Sequence, residues 1–311
     1  MRVLISGSSG LVGTALAETL RRDAHSVGRL VRPQRAAREK ATGERSQWAV
    51  DVRWHPVSGD FDSAAAEGHD AVVHLAGASI GKGRWTDSRK RLLRSSRVDA
   101  TRHLVGSLAG LHRPPQVFVS ASAVGYYGDR GDEELTEQCA PGNDFLALLA
   151  RDWEAEAARA EEFGARTVML RFGVILARHG GALRQMLPPF QLGLGGRLGS
   201  GRQWMSWLTF DEAVCVIRYA LENEAARGPI NAMTPNPVRN AEFTATLGRV
   251  LHRPTVFPVP AMALRLALGQ MADALLLAGQ RCLPRRLQSL GYRFQQPELE
   301  PALAAVLRPR S

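Results

Sequence analysis

Two hydrophobic periods alternate through the first half of the chain. Short apolar runs rich in β-branched residues stand at "RVLIS" (2–6), "HSVGRLV" (25–31), "QWAVDV" (47–52), "DAVVHLA" (70–76), "PQVFVSA" (115–121) and "RTVMLRFGVIL" (166–176), and they predict buried strands. Helical patterns fill the intervals near 12–22, 86–110 and 143–163. Strand alternating with helix implies βαβ units: a doubly wound parallel sheet, covered on both faces and built with right-handed crossovers. Past residue 177 the texture changes. "FQLGLGGRLGSGRQW" (190–204) holds five glycines and reads as irregular. "TFDE" (209–212) is a capping box that should start a helix. "RPTVFPVP" (253–260) is an extended connector, and the residues beyond it look helical. The expected division is 1–176 for the sheet domain, with further strands to about 232, and 177–311 for a smaller lobe with a helical extension.

Composition narrows the class. Apolar residues make up 45% and charged residues 23% of 311, which suits a globular chain with a full core. "VLIS" after Met1-Arg2 is too short for an export signal. The most apolar later segment, 261–279, is interrupted by Arg265, Gln270 and Asp273, so no membrane span is expected. Leu264, Leu268, Met271 and Leu275 form one helical stripe there, read as core packing, with a membrane-surface or dimer contact as the alternative. Cys139, Cys215 and Cys282 lie far apart, without metal-ligand spacing, so no metal is expected and a reducing cytoplasm fits. The net charge of +10 comes almost wholly from arginine, spread without a dense basic tail. That argues against nucleic acid and for an anionic small-molecule ligand. Monomer and homodimer both stay open.

The first strand runs into Gly7-Ser8-Ser9-Gly10-Leu11-Val12-Gly13, and a helix follows. A residue without Cβ allows the tight turn, a second lets the backbone approach a pyrophosphate, and a third lets helix and strand pack closely. The helix N-terminus then offers free N–H groups to phosphate. The motif reads as a dinucleotide turn of the Rossmann type. An NAD site usually places an acid about 20 residues on, for the ribose 2′-OH. Residues 24–38 hold no acid but contain Arg29, Arg32, Arg35 and Arg38. Arg32 stands where the acid would be, and a guanidinium suits a 2′-phosphate. NADP is therefore favoured over NAD.

The G-x-x-G-x-x-G spacing resembles the extended, epimerase-like branch of the short-chain dehydrogenase/reductase superfamily. Enzymes of that superfamily pair Ser or Thr with Tyr-x-x-x-Lys, in which the lysine lowers the tyrosine pKa. "VSASAVGYYGD" (119–129) resembles their serine turn, with Ser122 the best match and Ser120 the alternative. The tyrosine–lysine pair is missing. Phe145 and Leu149 stand near its expected places, and residues four after Tyr126, Tyr127, Tyr219 and Tyr292 are Arg130, Gly131, Asn223 and Gln296. Tyr127, close to Ser122, is the substitute catalytic candidate.

Further segments narrow the resemblance: "VHLAGASI", "SSRVDAT", "DFLALLARDWEAEA", "LRFGVIL", "LGLGGRLGSGRQWMSWLTFDE", "GPINAMTPNPVRNAEF" and "GQRCLPRRLQSLGYRF". In order along nearly the whole chain, they resemble an atypical extended branch of NAD(P)-dependent epimerase/dehydratase-like proteins with a small C-terminal extension. That branch typically lacks the Tyr-x-x-x-Lys pair. The resemblance implies an NADP site made of Gly7–Gly13, Arg32, Leu75, Ala76, Arg97 and Val174. It also implies hydride transfer on a nucleotide sugar or small carbonyl substrate. A cofactor-binding sensor without catalysis is the alternative. The glycine-rich segment with Arg197, Arg202, Gln203 and Trp207 reads as a mobile substrate lid, with a structural loop as the competing reading.

Overall fold

The computed structural model describes residues 1–34 and 48–308. Seven strands form one parallel sheet: β1 Arg2–Ser6, β2 Ser26–Val31, β3 Asp51–Arg53, β4 Ala71–His74, β5 Val117–Ala123, β6 Arg166–Phe172 and β7 Gly228–Ala232. Their spatial order is β7-β6-β5-β4-β1-β2-β3. The order reverses at β1, which pairs with β2 (Val3 beside Val27) and with β4 (Ile5 beside Val73). In such sheets ligands bind outside the carboxyl ends of the strands, at this switch point. Continuous apolar runs follow from burial on both faces. Val3, Ile5 and Val73 pack towards helices α1 (Leu11–Arg22) and Phe210–Glu222. Leu4, Val72 and Phe118 point the other way, against Leu104, Leu108 and Ala157. The period-two alternation of strands divides them.

The chain departs from the sequence expectations in four places. The run at 47–52 yields a strand only from Asp51, and residue 47 lies outside the described residues. The long run 166–176 is two strands, not one. At Gly173 the chain leaves the sheet, passing so close to the Ser206 carbonyl oxygen that a Cβ would meet it at 2.5 Å, and Val174–Leu176 pairs instead with Trp207–Thr209. A helix at Gly181–Gln191, containing Pro188 and Pro189, was not foreseen. The apolar stripe of 261–279 is not one helix, since it breaks at Gly269, where φ is +61°. Leu268, Met271 and Leu275 still pack inward, against Trp85 and Trp153. Thr209 does cap its helix, accepting from the Glu212 N–H at 3.2 Å. Glu212, however, turns to Tyr292 and to the Gln295 and Gln296 amides rather than back to the cap.

Candidate cofactor and catalytic site

The glycine turn closes over the carboxyl end of β1. Gly7 has φ +69°, and a Cβ there would lie 2.8 Å from the Leu75 carbonyl. A Cβ on Gly13 would sit 2.4 Å from the Gly7 oxygen. Both positions therefore require glycine. Gly10 precedes α1 without a side-chain cap, and the first turn of the helix carries no acid. The leading N–H groups and the positive end of the helix dipole thus face outward, as an anion requires. Ser9, Gly10 and Leu11 are exposed there, Val12 is half-buried, and Ser8 is buried with its carbonyl accepting from the Thr14 hydroxyl at 3.1 Å.

A buried polar chain fixes the other wall. The Ser6 hydroxyl accepts from the Leu75 and Ala76 amides at 3.1 and 3.3 Å and contacts His74 Nδ1 at 2.6 Å. His74 Nε2 reaches the Thr101 hydroxyl at 3.0 Å. Ser6 Oγ already accepts twice, so its proton goes to Nδ1, and Nε2–H donates to Thr101. Burial lowers the His74 pKa to about 4, so the ring is neutral at physiological pH. Ser6, His74 and Thr101 were not singled out in the sequence. The signal for them is one histidine at the end of the apolar run "DAVVHLA".

The candidate cations divide. Arg32 follows β2 directly and is exposed. Arg29 is buried in a bidentate pair with Asp51 at 2.7 and 2.8 Å, so it is not available to a ligand phosphate. Arg35 and Arg38 lie outside the described residues. Arg97 stacks over Trp153, 5.3 Å from the ring centroid, and its guanidinium hydrogen-bonds the Leu93 carbonyl at 3.5 Å. Desolvation, reinforced by the Arg89 charge, lowers its pKa to about 10. It therefore stays protonated at neutral pH. Among the described residues no carboxylate pairs with it. The Trp153 indole N–H, under the Arg97 guanidinium, and Arg89 Nε are buried donors without acceptors. A desolvated cation beside spare donors calls for an anion.

The catalytic candidates sit in a closed network. Ser122, at the end of β5, is buried and donates to Glu154 Oε1 at 2.5 Å. Arg171 on β6 holds the same carboxylate bidentately, at 2.8 and 2.7 Å. It also donates to the Tyr127 hydroxyl at 2.8 Å and stacks on Tyr126 at 3.5 Å. Burial works against the Arg171 charge, but the Glu154 hydrogen bonds and charge hold its pKa above the ordinary range. Tyr127 is fully buried and donates to Asn231 Oδ1 at 2.7 Å. Burial outweighs the Arg171 charge and pushes the phenol pKa up. The expectation of Tyr127 as a substrate-facing acid is therefore corrected: its oxygen is saturated by protein partners and shielded from solvent. Phe145 and Leu149 lie in an apolar cluster with Trp153 and Met271, on which Leu268 and Leu275 of the C-terminal segment pack. Glu154 and Arg171 were missed in the sequence, although Arg171 is a charge inside the apolar run "VMLRFGV".

The lid expectation also changes. Leu198 bridges to Val259, the Gly199 N–H donates to the Val259 carbonyl at 2.8 Å, and the Val259 N–H donates to the Arg197 carbonyl at 2.9 Å. A Cβ on Gly196 would fall 1.7 Å from the Phe257 oxygen. The glycines serve close backbone approach, and the loop is stitched down rather than free. Gln203 is a brace, donating to the Leu198 and Leu276 carbonyls at 3.1 and 2.8 Å. Trp207 is fully buried beside Leu176, with its indole N–H on the Asn236 carbonyl at 3.0 Å. No ring face is left for a ligand, which removes it as a substrate-stacking residue. Arg197 and Arg202 are exposed. Val174 is half-buried, its amide donating to the Ser206 carbonyl at 2.8 Å.

A switch-point glycine turn opening a helix, with no Tyr-x-x-x-Lys pair beyond the serine strand, defines an atypical extended short-chain dehydrogenase/reductase. The chain belongs to the NAD dependent epimerase/dehydratase family, whose sequence profile matches residues 3–232. A domain of unknown function, DUF1731, matches residues 259–306. An epimerase family protein of Mycobacterium leprae is 41% identical over 308 residues, covering 99% of this chain and 96% of its own. A chloroplastic SDR39U1 homologue of Arabidopsis thaliana is 37% identical, covering 99% of this chain and 87% of its own. The crystal structure of human SDR39U1 with NADPH superposes with a TM-score of 0.86 at 32% identity, covering 98% of this chain and 99% of that one.

Proposed function

We propose that this chain binds NADP(H) in the Gly7–Gly13 groove and exchanges a hydride with a small, anionic carbonyl or carbinol substrate. The observation that carries the cofactor reading is the uncapped start of α1, with Gly7 against Leu75 and Ala76 and a buried, carboxylate-free Arg97 against the next residue, Gly77. The α1 amides and Arg97 would hold phosphate, Leu75 and Ala76 would form the wall opposite Gly7, and Val174 would lie along the groove. Arg32 would take the 2′-phosphate. The similarity to a protein crystallised with NADPH supports the same choice. When bound, the nicotinamide supplies or accepts the hydride. Ser122 gives its proton to Glu154 but keeps lone pairs that would accept from a substrate hydroxyl, and Arg197 and Arg202 are exposed cations for the substrate charge. Three free thiols suit a reducing compartment such as the cytoplasm.

A second reading, an NADPH-binding regulator without turnover, is favoured by the saturated Tyr127 hydroxyl and by Phe145 and Leu149 at the tyrosine and lysine places. Calorimetric titration with NADPH and NADH tests the cofactor. NADPH should bind at least about tenfold more tightly, and Arg32→Asp should abolish that preference. Equal affinities would refute the 2′-phosphate assignment. A panel of carbonyl compounds and nucleotide sugars, followed at the nicotinamide absorbance, separates the two readings. Tight NADPH binding with no turnover on any of them selects the regulator.

A further inference from the structure

A second feature is an exposed apolar face on the segment that carries Arg197, and it does not depend on the occupant of the nucleotide groove. Eleven large apolar side chains are exposed among the described residues, and six of them gather on one face: Leu192, Leu194, Val256, Phe257, Met262 and Leu266, each between 55% and 74% exposed. They are neighbours because 193–199 runs along 254–261. Gly193 meets Pro254, Gly196 meets the Phe257 carbonyl, and Gly199 meets Ala261. The helix Ala261–Leu268 buries none of its residues, while the segment after Gly269 packs inward. This helix is therefore held at its end and carries bare apolar side chains outward.

The charge on this face is one-sided. The two segments that cross here, 192–199 and 253–268, carry Arg197, Arg253 and Arg265 and no aspartate or glutamate. The nearest following acid, Asp273, is already paired with Arg265 at 2.9 Å. A two-fold contact with a second copy would set arginines against arginines with no acid to match them. Nucleic acid would accept the arginines but not a ridge of leucine, methionine and valine. An anionic bilayer accepts both. Its acyl boundary takes the apolar side chains, and its phosphates take the arginines, whose stems can lie along the apolar surface. We infer that this face docks the protein peripherally on anionic lipid membranes, without any segment crossing them. Among the described residues no helix is long and apolar enough to do so.

Flotation of the full chain with vesicles tests this. Phosphatidylcholine vesicles are compared with vesicles of phosphatidylcholine and phosphatidylglycerol in equal amounts, at about 0.1 M salt. The protein should float with the anionic vesicles at least about tenfold more readily, and about 0.5 M salt should release it. The triple variant Phe257→Ser, Met262→Ser, Leu266→Ser should lose binding by about tenfold or more. Its far-ultraviolet spectrum and melting temperature should match the parent, because all three side chains are exposed. The single variant Leu266→Ser should give a smaller loss in the same direction and serves if the triple variant misfolds. Three results would overturn the inference: no flotation with anionic vesicles, equal flotation of parent and serine variants, or a parent dimer in solution that the serine variants convert to monomer. The last would assign the face to a second copy.

Discussion

The Ser6–His74–Thr101 chain makes stability depend on pH in a window set by His74. An unfolded histidine titrates near 6.5, and the buried ring titrates at about 4. Above 6.5 neither state binds the proton, so the full stability is present. As pH falls from 6.5 to 4 the unfolded state takes up a proton that the native state refuses, and stability is lost. The limiting loss is about 3 kcal/mol, of which about 2 kcal/mol falls between pH 7 and pH 5. His69, also buried and also lowered by desolvation, adds a loss of the same sign. The comparison therefore needs a variant. His74→Gln keeps a polar group in the cavity and removes the titration. Urea unfolding followed by tryptophan fluorescence at pH 7 and pH 5 should show the parent losing about 2 kcal/mol more than the variant. At pH 7 the variant should itself be weaker, because Gln cannot bridge both Ser6 and Thr101 with the imidazole geometry. Parallel losses in the two proteins would refute the assignment of a neutral, buried His74.

Three further outcomes follow from the site. Gly13→Ala should destabilise the chain by about 1–3 kcal/mol, since its Cβ would press on the Gly7 oxygen. It should also abolish the rise in melting temperature on adding NADPH; a retained rise would show that the turn is not the phosphate site. Glu154→Ala strands Arg171, whose side chain is 3% exposed, without its carboxylate and should cost about 3–5 kcal/mol. Adding Arg171→Met should recover much of that loss in denaturant titrations, and additive losses would contradict the pairing. Tyr127→Phe removes the partner of Asn231 Oδ1 and of Arg171 and should cost about 1–3 kcal/mol while leaving NADPH affinity unchanged. A stable variant that instead lost turnover would return Tyr127 to the catalytic role.

The sheet was legible because a parallel strand buried on both faces has little choice of residue. "RVLIS", "DAVVHLA" and "PQVFVSA" announce themselves, and so does the glycine turn, which needs absent side chains at fixed places. The remainder depends on contacts between distant segments. "GLGGRLGSG" has the composition of a mobile loop, and only the path of 254–261 beside it shows that Gly196 is there to let the Phe257 carbonyl pass. Trp207 looked like a ring for stacking. Its burial follows from Gly173, where the chain leaves the sheet and lays Val174–Leu176 against Trp207–Thr209. The polar network is the hardest case. Ser122, Glu154, Arg171 and Asn231 come from four separate elements, and each alone reads as a surface residue or an anomaly in an apolar run. The Ser122 hydroxyl donates to Glu154, which Arg171 holds bidentately, while Phe145 and Leu149, at the tyrosine and lysine places, lie in the apolar cluster of Trp153, where an ammonium would be costly to bury.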